Sequence, residues 1–142
     1  MDTIQSDKHA VEQVKPAPPR PLPFWQCYAS DWMSDEEYLT ASLYERGLLL
    51  SMLNHCWVND TVAADVSRLA ALLRVDEDDI DLGCPLIKKH FQPSADDPTR
   101  LFCPELARQK QENAHYRHRL AQGGRKGGIE AQRRRRQLNK AL

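Results

Sequence analysis

Residues 40–57, which read TASLYERGLLLSMLNHCW, form the stretch that decides the fold. Their apolar residues recur at spacings of three and four, which predicts a helix with one broad apolar face. Because glycine inside a helix costs about 1 kcal/mol relative to alanine, we expect another backbone to lie close to Gly47. Asn59 and Asp60 are expected to end this helix. The predicted face consists of Leu43, Gly47, Leu50, Met52, Leu53, Cys56 and Trp57.

Two more helices are predicted downstream of this one. Asp65 can cap a helix over residues 66–74, and Asp76 can cap another over residues 77–90. Pro85 predicts a kink or a break inside the last of them, because proline removes a backbone donor. The gap between these two helices is short and has the spacing of a helix-turn-helix.

Extended segments are predicted next, at residues 90–92 and 100–103, with the turn-rich sequence PSADDPT between them. Three helices followed by a hairpin is the element order of a winged helix. A sparse apolar pattern then predicts a last helix from Glu105 to about Gln122. The predicted fold is therefore mainly α: a winged helix-turn-helix domain with a short β-hairpin wing, a long C-terminal helix and a basic tail.

We predict three regions along the chain. Residues 1–23 are proline-rich and are expected to be a disordered leader, and residues 24–122 form the winged-helix domain. Residues 123–142 form a basic tail rich in glycine and arginine, and its first two glycines are expected to end the last helix. No apolar run approaches the ~20 residues of a membrane span, and no signal peptide is recognisable, so a cytoplasmic protein without membrane contact is expected.

The charges of the 142-residue chain are strongly segregated, although its formal net charge is zero. Residues 105–142 hold 11 Lys and Arg against 3 Asp and Glu, a net charge of +8. Residues 1–104 hold 9 Lys and Arg against 17 Asp and Glu, a net charge of −8. A basic end joined to an acidic body suggests that the basic end binds a polyanion.

The densest positive charge is a run of four arginines at residues 133–136. If about five cations of the basic end reach DNA phosphates, log K should fall with log salt at a slope near −4.5. Such a slope suits a non-specific anchor rather than a protein that reads a DNA sequence, and a merely solvated tail is the alternative. The candidate nucleic-acid-binding residues are Lys88, Lys89, Arg100, Arg117, Arg119, Arg125, Lys126, Arg133, Arg134, Arg135 and Arg136.

The predicted helix at residues 77–90 opens with acids, which does not suit a DNA recognition helix. Its first turn would be repelled by phosphates, so we expect the acids either to cap the helix and face solvent or to bind a basic protein partner. The candidate partner-binding residues are Asp76, Glu77, Asp78 and Asp79.

The sequence offers no convincing catalytic or metal site. The segment GGRKGG at residues 123–128 lacks the spacing of a phosphate-binding loop. His115 and His118 have only Glu112 as a further ligand nearby, and the four cysteines contain no CxxC pair. We expect a non-enzymatic protein without cofactor or metal, whose free cysteines Cys27, Cys56, Cys84 and Cys103 are buried.

The chain resembles a phage and prophage family, the YdaU-like proteins, a domain of unknown function. The segment YASDWMS at residues 28–34 resembles the family's opening motif. Glu45, Arg46 and Gly47 with the later Trp57 resemble its first long helix, and RKGG at residues 125–128 resembles its terminal motif. The resemblance implies a winged-helix module that is often encoded near phage replication genes.

Together, the charge pattern and this resemblance lead us to expect a DNA-binding protein of phage or prophage origin that acts in replication initiation. A replicative helicase or helicase loader is a candidate partner, and homo-oligomerisation stays open. Two alternatives remain: a protein-interaction adaptor that uses the acidic surface, and a transcription repressor of the same fold.

Overall fold

The computed structural model describes residues 22–141, and most of the leader predicted over residues 1–23 lies outside this range. The described part is mainly helical, with one small antiparallel sheet and a long C-terminal helix. The helices are α1 (Ala29–Met33), α2 (Glu36–Thr40), α3 (Leu43–Asn59), α4 (Val66–Leu73), α5 (Pro85–His90) and α6 (Pro104–Lys140), with a 3₁₀ turn at Glu77–Asp79. The strands are β1 (Val62–Ala63), β2 (Gln92–Pro93) and β3 (Arg100–Phe102).

The predicted first long helix is confirmed as α3, which begins with a capping box. The Ser42 hydroxyl accepts the Glu45 N–H, and the Glu45 carboxylate accepts the Ser42 N–H. The helix ends where Asp60 adopts a φ of 68°. The predicted apolar face is wrong in part, because Leu43 and Leu50 are exposed. The residues of α3 that are buried are Leu48, Leu49, Met52, Leu53, Cys56 and Trp57.

The close backbone approach expected at Gly47 is not found. A Cβ placed on this residue would meet nothing within 4 Å, so packing does not require a glycine here. Gly47 lies on the exposed side of α3, opposite the side chains that enter the core.

The second predicted helix is confirmed as α4, and the Asp65 carboxylate accepts the Ser67 N–H as its cap. The third is interrupted, in agreement with the break expected from proline. Only a single 3₁₀ turn forms over Glu77–Asp79, and Pro85 then begins the separate helix α5. Proline suits the first position of a helix, where no backbone donor is needed.

The sheet has the strand order β1-β3-β2, and both pairings are antiparallel. The expected hairpin is confirmed as β2 and β3, with Gln92 opposite Phe102. The third strand, β1, was not predicted, since two residues are too few to show an alternating pattern. The core lies between α3, α4, α5 and the start of α6, and Leu49, Met52 and Leu69 are fully enclosed there.

The predicted end of the last helix at Gly123 and Gly124 is wrong, because α6 continues without interruption to Lys140. Glycine weakens a helix but keeps its N–H donor, so the hydrogen-bond ladder can pass through it. None of the described glycines has a positive φ, the conformation with which a glycine usually ends a helix. Leu106 and Gln109 hold the first turns of α6 against the body.

The segment before α1 is fastened across the body by side-chain hydrogen bonds. The buried Gln109 amide accepts the Gln26 N–H at 2.8 Å and donates to the Gln26 carbonyl at 3.0 Å. The indole N–H of Trp57 donates to the Leu22 carbonyl, and that of Trp25 donates to Asn54. Gln109 therefore couples the start of α6 to the chain before α1.

Three of the four cysteines are buried, as expected, and Cys27 is exposed, so the expectation is wrong for that residue. Burial raises the pKa of the Cys56 and Cys103 thiols. Within residues 22–141, no helix is both long enough and apolar enough to cross a bilayer.

Candidate nucleic-acid interface

The last part of α6 extends into solvent without packing against the body. Every residue from 121 to 141 is exposed. At a rise of 1.5 Å per residue, this part of the helix is about 30 Å long. An isolated helix of this kind offers its whole circumference to a partner.

Within residues 22–141, most cations of this extension form no ion pair. Arg134 forms an ion pair with Glu130 at 2.9 Å, with both side chains largely exposed. Within the described part of the chain, no ion pair forms at Arg119, Arg125, Lys126, Arg133, Arg135 or Arg136. The arginine run therefore keeps most of its charge available to an external anion.

The cations of α6 are concentrated on one side of the helix. At 3.6 residues per turn, five of them project within an arc of about 100°. Arg119 lies at the edge of the same arc, whereas Arg134 and Arg135 project elsewhere. We call this set the cationic stripe: Arg119, Arg125, Lys126, Arg133, Arg136 and Lys140.

Small and apolar residues occupy the other side of the same helix. Tyr116, Leu120, Gly127, Ala131 and Leu138 share a face that continues from the buried Leu106 and Gln109. His115 and His118 project on the side of the cationic stripe instead. The cations are thus denser on one side of the long helix than on the other, although Ile129 lies within the stripe and Arg134 lies at the edge of the apolar side.

Six predicted binding residues lie outside the stripe: Arg134 and Arg135, which project elsewhere on α6, and Lys88, Lys89, Arg100 and Arg117. Lys89 donates to Asp35 at 2.7 Å and to Glu37 at 2.9 Å, so its charge is neutralised within the body. The Arg100 guanidinium donates to the hydroxyl and the carbonyl of Thr61, and so joins β3 to the residue just before β1. These contacts do not support the predicted phosphate-binding role of Lys89 and Arg100.

Lys88 is exposed on α5, away from the long helix extension. Arg117 is half-buried on α6 and has an interaction partner within the protein. Neither belongs to the cationic stripe.

The predicted partner-binding acids lie together on the turn between α4 and α5. Asp76, Glu77, Asp78 and Asp79 are all exposed, and none forms an ion pair within residues 22–141. Because the 3₁₀ turn carries these acids rather than a long helix, no recognition helix starts there.

An aromatic groove, which the sequence did not predict as a site, lies between α1, the end of α5 and the start of α6. Its volume is about 480 Å³. The Trp25 and Trp32 rings are stacked in it with centroids 6.4 Å apart, and Tyr28 and Asp31 also line it. The aromatic density of residues 24–32 was a signal for this groove, but the sequence does not show which elements face it.

Two titratable groups at the groove are shifted from their ordinary behaviour. Burial lowers the pKa of His90, whose ring lies 6.4 Å from that of Trp32. The hydrogen bond from Lys89 lowers the pKa of Asp35. The imidazole therefore stays neutral and the carboxylate ionised at neutral pH.

Comparison with known proteins gives no match to a family model, a curated protein or a solved structure. Among the described residues, no group of three or more His, Cys, Asp or Glu side chains is arranged to hold a metal ion.

Proposed function

We propose that this chain is a non-enzymatic DNA-binding protein in which the cationic stripe of α6 binds the phosphate backbone. The observation that carries the proposal is that six cations share one side of a solvent-exposed helix and form no ion pair within residues 22–141. Phosphate contacts of Lys and Arg supply most non-specific DNA affinity through counterion release.

The shape of the extension also favours DNA as the partner. An α-helix fits the major groove of B-DNA, which is about 12 Å wide. The four glycines at residues 123–128 carry no side chain, and a Cβ added at any of them would meet nothing within 4 Å, so the helix backbone is open to close approach here. Arg125 and Lys126 sit among these glycines and would supply charge at the point of contact.

The acidic body would serve to hold the helix rather than to bind DNA. Its net charge of −8 over residues 1–104 repels phosphate, so the duplex would lie along the distant half of α6. We infer a winged-helix module of phage or prophage origin that acts in the cytoplasm during replication initiation. This part of the proposal depends on the resemblance to YdaU-like proteins and on the element order of helices followed by a hairpin.

Two matched double substitutions within the arginine run test the proposal. Arg133→Gln with Arg136→Gln removes two cations from the stripe, and Arg134→Gln with Arg135→Gln removes two from outside it. Binding to a fluorescent duplex is measured by anisotropy across a salt series. We expect the first variant to reduce the steepness of the salt slope by about 1.8 and the second to change it far less.

Equal effects of the two variants would contradict the assignment to the stripe. Undiminished binding by both would contradict DNA binding through this helix. A large preference for one duplex sequence over others would favour a transcription repressor, since a phosphate anchor discriminates little between sequences.

The exposed acids at residues 76–79 favour a second candidate function, a protein-interaction adaptor. These four adjacent carboxylates form no ion pair within the described part of the chain, and they could bind a basic surface on a replicative helicase or helicase loader. Reversal of Asp76 and Asp79 to lysine should then abolish co-purification with such a partner while leaving DNA binding intact. Unchanged co-purification would exclude the acidic turn as the interface.

A further inference from the structure

The aromatic groove combines aromatic rings with the carboxylate of Asp31, which is available to pair with a cation. Trp25 and Trp32 are half-buried, Tyr28 is exposed, and Asp31 forms no ion pair within residues 22–141. The nearby Lys89 is already neutralised by Asp35 and Glu37, so it does not oppose an incoming cation.

Such a groove suits a guanidinium group. Cations bind over aromatic faces through the ring quadrupole, and a carboxylate at the rim adds an ion pair. The protein already makes contacts of this kind elsewhere. Arg46 lies 4.7 Å from the centre of the Tyr38 ring, and Lys110 lies 5.2 Å from that of Trp57.

The arginine run at residues 133–136 is complementary to this groove but cannot reach it within one molecule. The groove is lined by Gln109 near the start of α6, and Arg133 follows 24 residues later on the same uninterrupted helix. That separation is about 36 Å along the helix axis. A second copy of the chain has no such restriction, and its end of net charge +8 meets a body of net charge −8.

We propose that the protein self-associates by placing the arginine run of one copy in the aromatic groove of another. The contact is heterologous, since a helix end meets a groove, so it either closes reciprocally into a dimer or extends into longer assemblies. The inference goes beyond DNA binding, although both use the same arginines. DNA and the groove therefore compete for the arginine run.

Asp31→Lys in the full chain tests the groove, and Asp96→Lys is the matched control. Both residues are exposed, and Asp96 lies on the turn between β2 and β3, outside the groove lining. Sedimentation velocity over a concentration series measures self-association at about 0.05 M and 0.5 M salt. We expect association of the unaltered protein at low salt, loss at high salt, and about tenfold weaker association for Asp31→Lys alone.

Adding a duplex oligonucleotide should dissociate the unaltered protein, and Asp31→Lys should still bind that duplex. A monomer at low salt would overturn the inference, and so would equal behaviour of the two lysine variants. If the unaltered protein and both lysine variants fail to bind DNA while the unaltered protein still self-associates, the proposed function is overturned and this inference stands. Circular dichroism of each variant confirms that the fold is retained.

Discussion

The four glycines at residues 123–128 lie in the middle of the exposed half of α6, where no packing compensates for their low helix propensity. The perturbation is the replacement of all four by alanine: Gly123→Ala, Gly124→Ala, Gly127→Ala and Gly128→Ala. A Cβ at each position meets nothing within 4 Å, so no steric cost opposes the change. The substitutions therefore isolate backbone propensity from packing.

The magnitude follows from the helix interior values. Each glycine costs about 1 kcal/mol relative to alanine, so the four together weaken helix propagation by about 4 kcal/mol. Residues 129–140 span a length that is marginal for an isolated helix, and they depend on helix continuing through the glycines. In the variant, the helix can still fray from its free C-terminal end. We therefore expect only part of this energy to slow amide exchange, by at least about tenfold for residues 129–140.

Hydrogen exchange read by mass spectrometry measures this directly, with a peptide over residues 129–140 and a reference peptide over residues 104–117. The unaltered protein should exchange faster in the first peptide than in the second, because only the second packs on the body. The four alanines should slow the first and leave the second unchanged. Equal protection of the two peptides in the unaltered protein, or no slowing in the variant, would refute the reasoning.

Three further predictions concern the body. Gln109→Leu should lower the free energy of unfolding by about 1–3 kcal/mol, because the N–H and carbonyl of Gln26 lose their partners; urea unfolding measures this, and an unchanged midpoint would contradict it. Leu49→Ala should cost about 2–5 kcal/mol, since the side chain is fully enclosed; a loss below 1 kcal/mol would show that the core is not packed around it. Burial lowers the pKa of His90, so this imidazole is protonated at a higher pH in the unfolded chain than in the folded protein. Stability should therefore fall as the pH drops below about 6.5, and His90→Gln should reduce that fall when unfolding midpoints at several pH values are compared.

Local signals in the sequence predicted much of the body. Asp65 caps α4 as expected, and Pro85 separates α5 from the acidic turn, because both act through their own backbone neighbours. The face of α3 was less predictable. Leu43 and Leu50 fit the helical period, but both are exposed. The spacing of apolar residues does not show how much of the helix surface the neighbouring elements cover.

The candidate site was predictable in its charge but not in its geometry. The segregation of charge identified the arginine run. The glycine pair at residues 123 and 124 predicted the end of a helix, but α6 continues through it. The uninterrupted helix is what aligns Arg125 with Arg133 and Arg136 on one side. The ion pairs of Lys89 could not be predicted, because its partners Asp35 and Glu37 are more than 50 residues away in sequence.

The salt dependence of duplex binding tests the central claim most directly. The full chain is titrated into a fluorescent duplex at several salt concentrations, and log K is plotted against log salt. If all six cations of the stripe bind phosphates, the slope should be about −5.4. A slope shallower than about −1, or no binding at about 0.05 M salt, would contradict the claim that this helix binds the nucleic-acid backbone.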